Sequence, residues 1–166
     1  MDVALSLLLI QGALGAFDTL WYHELRQRLP ARPGARLELR LHASRDFAYA
    51  GVFGSLAWAE WRGALAWVLA TVLLLEVVIT LWDFIEEDRS RTLPAGERIM
   101  HTVMAIVYGA FLANLVPQLL AWSKTPTEFA PANYGAISWL MTLMAAGVLA
   151  SGLRDVVASC SCLAPR

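Results

Sequence analysis

Three histidines and a set of carboxylates recur at helical spacing along this chain. Glu38, His42, Arg45 and Tyr49 follow one another at steps of four, three and four residues, which keeps them in one narrow stripe of an α-helix. Glu76, Thr80, Asp83 and Glu87 repeat those steps, and so do Glu97, His101, Met104 and Tyr108. An earlier face carries Gln11, Asp18 and Tyr22, with His23 and Glu24 just beyond it.

Imidazoles and carboxylates projecting into a four-helix bundle are the donor set that holds two iron or manganese ions. Oxygen and imidazole ligands suit Fe, Mn or Zn better than Cu(I). The expected ligands are His42, His101, Glu38, Glu97, Asp83 and Glu87, with His23 and Asp18 as secondary candidates. Tyr49 and Tyr108, one to two turns deeper, would act as hydrogen-bond partners or redox neighbours. The Glu-x-x-x-His spacing departs from the Glu-x-x-His of soluble di-iron bundles. A b-haem held by His101 with His23 or His42 is a second reading of the same imidazoles. The plain reading makes all of these interfacial anchors. Glu38 then neutralises Arg45, and Glu86-Glu87-Asp88-Arg89 is a solvated helix end.

Glu76 stands apart. It lies between Leu75 and Val77, near the middle of an apolar helix with no Lys or Arg at its depth, where a carboxyl group is costly in either protonation state. Gln11, Ser55, Thr80 and Asn114 are the expected partners.

The elements that position these groups follow from composition. Of 166 residues, 58% are hydrophobic and 16% charged, with a mean hydropathy of +0.53. A soluble domain is roughly 45–50% apolar, so lipid is the expected solvent. A net charge of −1 gives no basic surface for nucleic acid. Apolar runs near the roughly 20 residues of a spanning helix cover about 3–22, 65–86, 99–122 and 134–157. A fifth, about 43–61, reaches that length only with polar first turns. The expected fold is an all-α integral membrane protein of five transmembrane helices in a single domain, residues 1–166. Asp2 at the start and Asp18 and Trp21 at the end of the first run do not fit a signal peptide. It is expected to be an uncleaved helix.

The chain also reads as one helix hairpin written twice, over about 11–60 and 72–120. Thr19-Leu20-Trp21 recurs as Thr80-Leu81-Trp82, and Leu29-Pro30-Ala31 as Leu93-Pro94-Ala95. Glu38, His42 and Tyr49 recur as Glu97, His101 and Tyr108. Two parallel hairpins give a pseudo-two-fold axis along the membrane normal, and a four-helix bundle with a fifth helix beside it.

With the N-terminus outside and the C-terminus in the cytoplasm, eleven of the thirteen basic residues fall on inner segments. That is the bias expected of a multi-pass protein of a cell (inner) membrane. The histidines then gather at the cytoplasmic end. Helix 5 carries small residues for close packing, and its Arg154 and Asp155 are placed to pair with the acidic cluster. Residues 123–133 read as an exposed outer connection. Cys160 and Cys162 are too close in sequence for a good disulfide and make half a metal site at most. A frayed tail or reversible acylation accounts for them. No phosphate loop, dinucleotide fingerprint, nucleophile elbow or metalloprotease pair is present. Two function classes fit. One is a metal-dependent oxidoreductase acting on a lipid or other apolar substrate. The other is a non-catalytic membrane subunit that docks a cytoplasmic protein.

Overall fold

The computed structural model describes residues 1–32 and 34–161. Helix α1 (Asp2–Asp18) continues without a break into a π-helical stretch, Thr19–Arg26, and a short turn, Leu29–Ala31. Then come α2 (Arg36–Leu56), strand β1 (Ala59–Trp61), α3 (Ala64–Ser90), α4 (Ala95–Trp122), strand β2 (Phe129–Pro131) and α5 (Ala136–Ser161). The chain is all-helical apart from the two short strands, which pair antiparallel.

Four segments are long and apolar enough to cross a membrane: Asp2–Arg26, Ala64–Ser90, Ala95–Trp122 and Ala136–Cys160. In the most apolar stretch of each, only 17–33% of residues are buried. Leu74, Leu75, Ile106, Trp139 and Leu143 all point outward. Such an apolar exterior is far larger than a soluble monomer carries.

Helix α2 differs from the expected 43–61 segment. It starts earlier, at Arg36, and ends at Leu56; residues 59–61 are strand. It is too polar to rank with the other four, and it is the sheltered helix, packed along α5 on one side and α3 on the other. Glu38, Leu39, His42, Ala43, Val52 and Phe53 are all buried. A helix whose polar face meets other helices rather than hydrocarbon needs no apolar exterior.

The remaining contacts pair α1 with α4, while the α3–α4 and α1–α5 seams are sparse. Gly12 of α1 makes room for side chains that reach it from α2 and α5. A Cβ there would sit 2.8 Å from Phe53 Cζ and 3.2 Å from Met144 Sδ. The apolar core lies in the half of the bundle that carries the two strands, where Leu5, Leu8, Phe53, Leu56, Leu69, Phe111, Leu115 and Met141 interlock.

The outer connections are more ordered than an exposed loop. Ala59, Glu60 and Trp61 pair with Pro131, Ala130 and Phe129, and Ala130 is buried. Backbone bonds from Arg62 N to Glu128 O (3.0 Å) and from Ala132 N to Trp58 O (2.8 Å) extend the ribbon. It gives backbone groups partners where turns alone would leave them unpaired. Gly63, at φ +59°, reverses the chain into α3 with Thr127 packed against it.

Candidate metal centre

Polar groups from α1 to α4 meet at the end of the bundle opposite the ribbon. The π-helical stretch makes the first contribution. A π-helix bonds residue i to i+5, as Gln27 N does to Tyr22 O at 2.8 Å. Residues five apart therefore share a face, and His23 Nε2 lies 3.4 Å from Asp18 Oδ2. His23 also reaches Glu97 Oε1 of α4 at 3.5 Å and stacks face to face on His42 of α2, with ring centroids 4.6 Å apart.

The stripes on α2, α3 and α4 supply the rest. His42 Nε2 is 3.0 Å from Asp83 Oδ2 and 3.9 Å from Glu87 Oε1. His101 is 3.2 Å from Asp18 Oδ2 through Nε2 and 3.4 Å from Glu87 Oε2 through Nδ1. Its ring stacks on Phe84 at 5.2 Å. Glu38, Asp83 and Glu87 are each 1% exposed and Glu97 is 0% exposed. Every one of the eight expected ligands thus lies in this cluster.

Glu87 is buried, although it belongs to the run expected to be a solvated helix end; Asp88 and Arg89 beside it are exposed. The expected Glu38–Arg45 pair does not form. Arg45 donates instead to Asp83 Oδ2 at 3.0 Å.

Glu38 is taken by Arg91, a residue the helical spacing did not single out because it lies past the end of α3. The Arg91 guanidinium donates through Nε to Glu38 (3.0 Å), through Nη1 and Nη2 to Glu97 (3.0 and 2.6 Å) and through Nη2 to Glu87 (3.3 Å). Ser90 Oγ adds a bond to Glu38 at 3.2 Å. Burial works against the Arg91 charge, but Glu97 and Glu38 outweigh it and hold the guanidinium above its ordinary range. The available signal was its spacing, four residues from Glu87 and six from Glu97.

The cluster contains five carboxylates and two guanidiniums, so three negative charges need a counter-charge from elsewhere. Several buried oxygens also lack an aligned donor: Asp18 Oδ1, Asp83 Oδ1 and Glu87 Oε2 have no hydrogen bond. Buried acceptors left unmade cost about 1–3 kcal/mol each. Two ligand groups can be drawn among the described residues, each with its atoms within 4.8 Å of one another. One joins His23, Glu87, Glu97 and His101; the other joins Glu38, His42 and Glu87. Metal–ligand bonds of about 2.0–2.2 Å for His N and carboxylate O require only a small contraction of either group.

A second polar tier lies deeper. Gln11, Tyr49, Glu76 and Tyr108 each stand seven residues from a cluster member, opposite Asp18, His42, Asp83 and His101 in turn. Two helical turns set the tiers about 10 Å apart. Of the expected partners, Thr80 donates to Glu76 Oε1 at 2.9 Å. Ser55 and Asn114 bond backbone carbonyls of their own helices. Arg45 lies near enough for its charge to act on Glu76, so the carboxyl is not as remote from a cation as the sequence implied. Tyr49 and Tyr108 both face Glu76 and meet edge to face at 6.0 Å.

Arg154 pairs with Glu24 at 2.5 Å and with Asp155 at 2.7 Å, beside the cluster rather than inside it. Cys160 is exposed, and Cys162 lies outside the described residues.

The chain matches no known family. Comparison with family models, with curated proteins and with solved structures gives no match in any of the three. The geometry alone carries the functional reading.

Proposed function

We propose that this chain is a five-helix membrane protein whose charged end binds two metal ions, iron, manganese or zinc, for oxidoreductase chemistry on a lipid or other apolar substrate. The observation that carries this reading is the pair of buried ligand groups, His23, Glu87, Glu97 and His101 in one and Glu38, His42 and Glu87 in the other, each with its donor atoms within 4.8 Å of one another. Imidazole and carboxylate converging at that distance are a donor set that suits a divalent cation.

Glu87 belongs to both ligand groups and would bridge the ions. His23, His101 and Glu97 would complete one shell, and His42 with Glu38 the other. Asp18 and Asp83 would orient the imidazoles, as carboxylates beside metal-bound histidines do. Held there, iron or manganese supplies redox steps and zinc a Lewis acid. The chain's own contribution is positioning: Arg91 clamps three carboxylates, and Phe84 fixes the His101 ring. The donor set fits ions better than a b-haem. The haem reading needs His101 as one ligand, and both of its ring nitrogens face carboxylates, Asp18 and Glu87.

Contacts between repeat-related residues support the duplicated hairpin. Glu38 and Glu97 share one guanidinium, Tyr49 touches Tyr108, and α1 packs on α4 as α3 packs on α2. We place the N-terminus outside and the C-terminus in the cytoplasm of a cell (inner) membrane, on the basic bias alone.

One observation favours a rival. Protons on all three histidines would cancel the three negative charges as well, leaving a self-neutral network in a non-catalytic subunit that anchors a cytoplasmic partner. Metal analysis of detergent-purified protein decides between the two. The metal reading expects about two ions per chain, lost together in His42→Ala and His101→Ala. A colourless, metal-free protein of unchanged stability would replace it with the anchor. Loss in one variant only would sink the shared centre.

A further inference from the structure

A cavity of about 790 Å³ lies between the helices and runs from Asp18 and His101 to the deeper tier at Gln11, Glu76 and Tyr108. It falls within the roughly 300–1,000 Å³ of sites that hold drug-sized molecules. The wall along α4 from His101 to Tyr108 is about 10 Å long and is apolar between those two polar ends, with Met104 and Ala105 along it. Leu20, Leu81 and Leu143 line it and are also exposed on the outside of the bundle, so the cavity opens sideways into whatever apolar medium surrounds the helices.

Its deep end is built and unsatisfied. Gln11 is 6% exposed, Tyr108 8% and Glu76 4%. Gln11 Oε1 and the Tyr108 hydroxyl make no hydrogen bond of good geometry, although Glu76 lies beside the Tyr108 hydroxyl, and both residues line the cavity. One atom needs a donor and the other is free to donate. A hydroxyl group meets both demands at once. A carboxylate or phosphate does not, because Glu76 and Asp46 share the wall, while Arg45 is engaged by Asp83 and Arg154 by Glu24 and Asp155.

We infer that this cavity binds a neutral, chain-like lipid carrying one hydroxyl, held by Gln11 and Tyr108 at the deep tier with its carbon body running toward Asp18 and His101. Long-chain alcohols and alkyl phenols share that chemistry. This names the substrate class for the metal reading, and it rests on that reading only for what happens to the substrate. The two tiers stand about 10 Å apart, so the hydroxyl is an anchor, and carbons further along the chain are presented to the centre.

The test is equilibrium binding of radiolabelled 1-dodecanol to chelator-treated protein in lipid nanodiscs, with empty nanodiscs as the background. Saturable binding at one site per chain is expected, with Tyr108→Phe and Gln11→Leu each weakening it about tenfold, the ratio that corresponds to one hydrogen bond of about 1.4 kcal/mol. Laurate should fail to compete. Tyr108→Phe keeps the ring packing, so it decides the matter if Gln11→Leu does not fold. Tighter competition by 4-decylphenol than by unlabelled dodecanol would keep the site and put its hydroxyl on an aromatic ring. Binding that laurate matches, that dodecane matches, or that Tyr108→Phe leaves unchanged would overturn the proposal. Because the protein is metal-free, dodecanol binding by a chain that takes up no metal would sink the metal centre and spare the cavity. A metal-loaded chain that ignores dodecanol would do the reverse.

Discussion

Arg91 is the residue on which the cluster's balance turns. Its guanidinium holds Glu38, Glu87 and Glu97, and removing one partner of a buried ion pair costs about 3–5 kcal/mol because the other charge is left uncompensated. Arg91→Ala is therefore expected to lower the thermal midpoint in detergent sharply. Arg91→Lys should recover only part of the loss, because an ammonium cannot reproduce the fork that meets both oxygens of Glu97. An equal midpoint for the two variants would contradict the bidentate role. The sign of any pH effect is also fixed. A guanidinium held above its ordinary range contributes its full stabilisation at every pH below that range, so raising pH through neutrality should not loosen Arg91. The histidine and carboxylate stripes were legible in the sequence because α2, α3 and α4 keep a regular period. At 3.6 residues per turn His23 falls just beyond the face of Asp18. The wider winding of Thr19–Arg26 is what swings its imidazole onto Asp18. Arg91 escaped notice because no helical period extends past Ser90.

Among the elements, the outer ribbon and the polar α2 are the two that the hydropathy pattern could not deliver. A run of 20 apolar residues announces a helix that faces lipid. A helix enclosed by its neighbours carries no such mark, so α2 emerged short and shifted. Strands of three residues lie below any periodic signal. Their turn has a clear weak point in Gly63, whose φ of +59° and ψ of −131° belong to a region that side chains enter at a cost of about 1–3 kcal/mol. The Thr127 backbone also occupies the space a Cβ would need. Gly63→Ala should lower the thermal midpoint by several degrees without changing metal content, since the ribbon and the cluster lie at opposite ends. A fall in bound metal equal to that of His42→Ala would show the two ends to be coupled.

At the scale of the molecule, the proposed ions should act as ligands of the folded state. An ion at a hundredfold excess over its Kd adds about 2.7 kcal/mol, so chelation should lower the thermal midpoint and re-addition of iron, manganese or zinc should restore it. A midpoint indifferent to both treatments would place the structural weight on protons and Arg91 alone. Orientation is open to a separate check. Alkaline phosphatase fused after residue 161 should be inactive, and the same enzyme fused before residue 1 active; the opposite pattern would invert the placement. The ribbon, finally, has a mechanical meaning. It laces the α2–α3 turn to the α4–α5 connection, so at that rim the helices cannot drift apart. At the other end α3 and α4 are joined again by residues 91–94, so the sparse seam between them is closed like a buttonhole, stitched at both tips. A hydrocarbon tail slipping in sideways would have to part its middle.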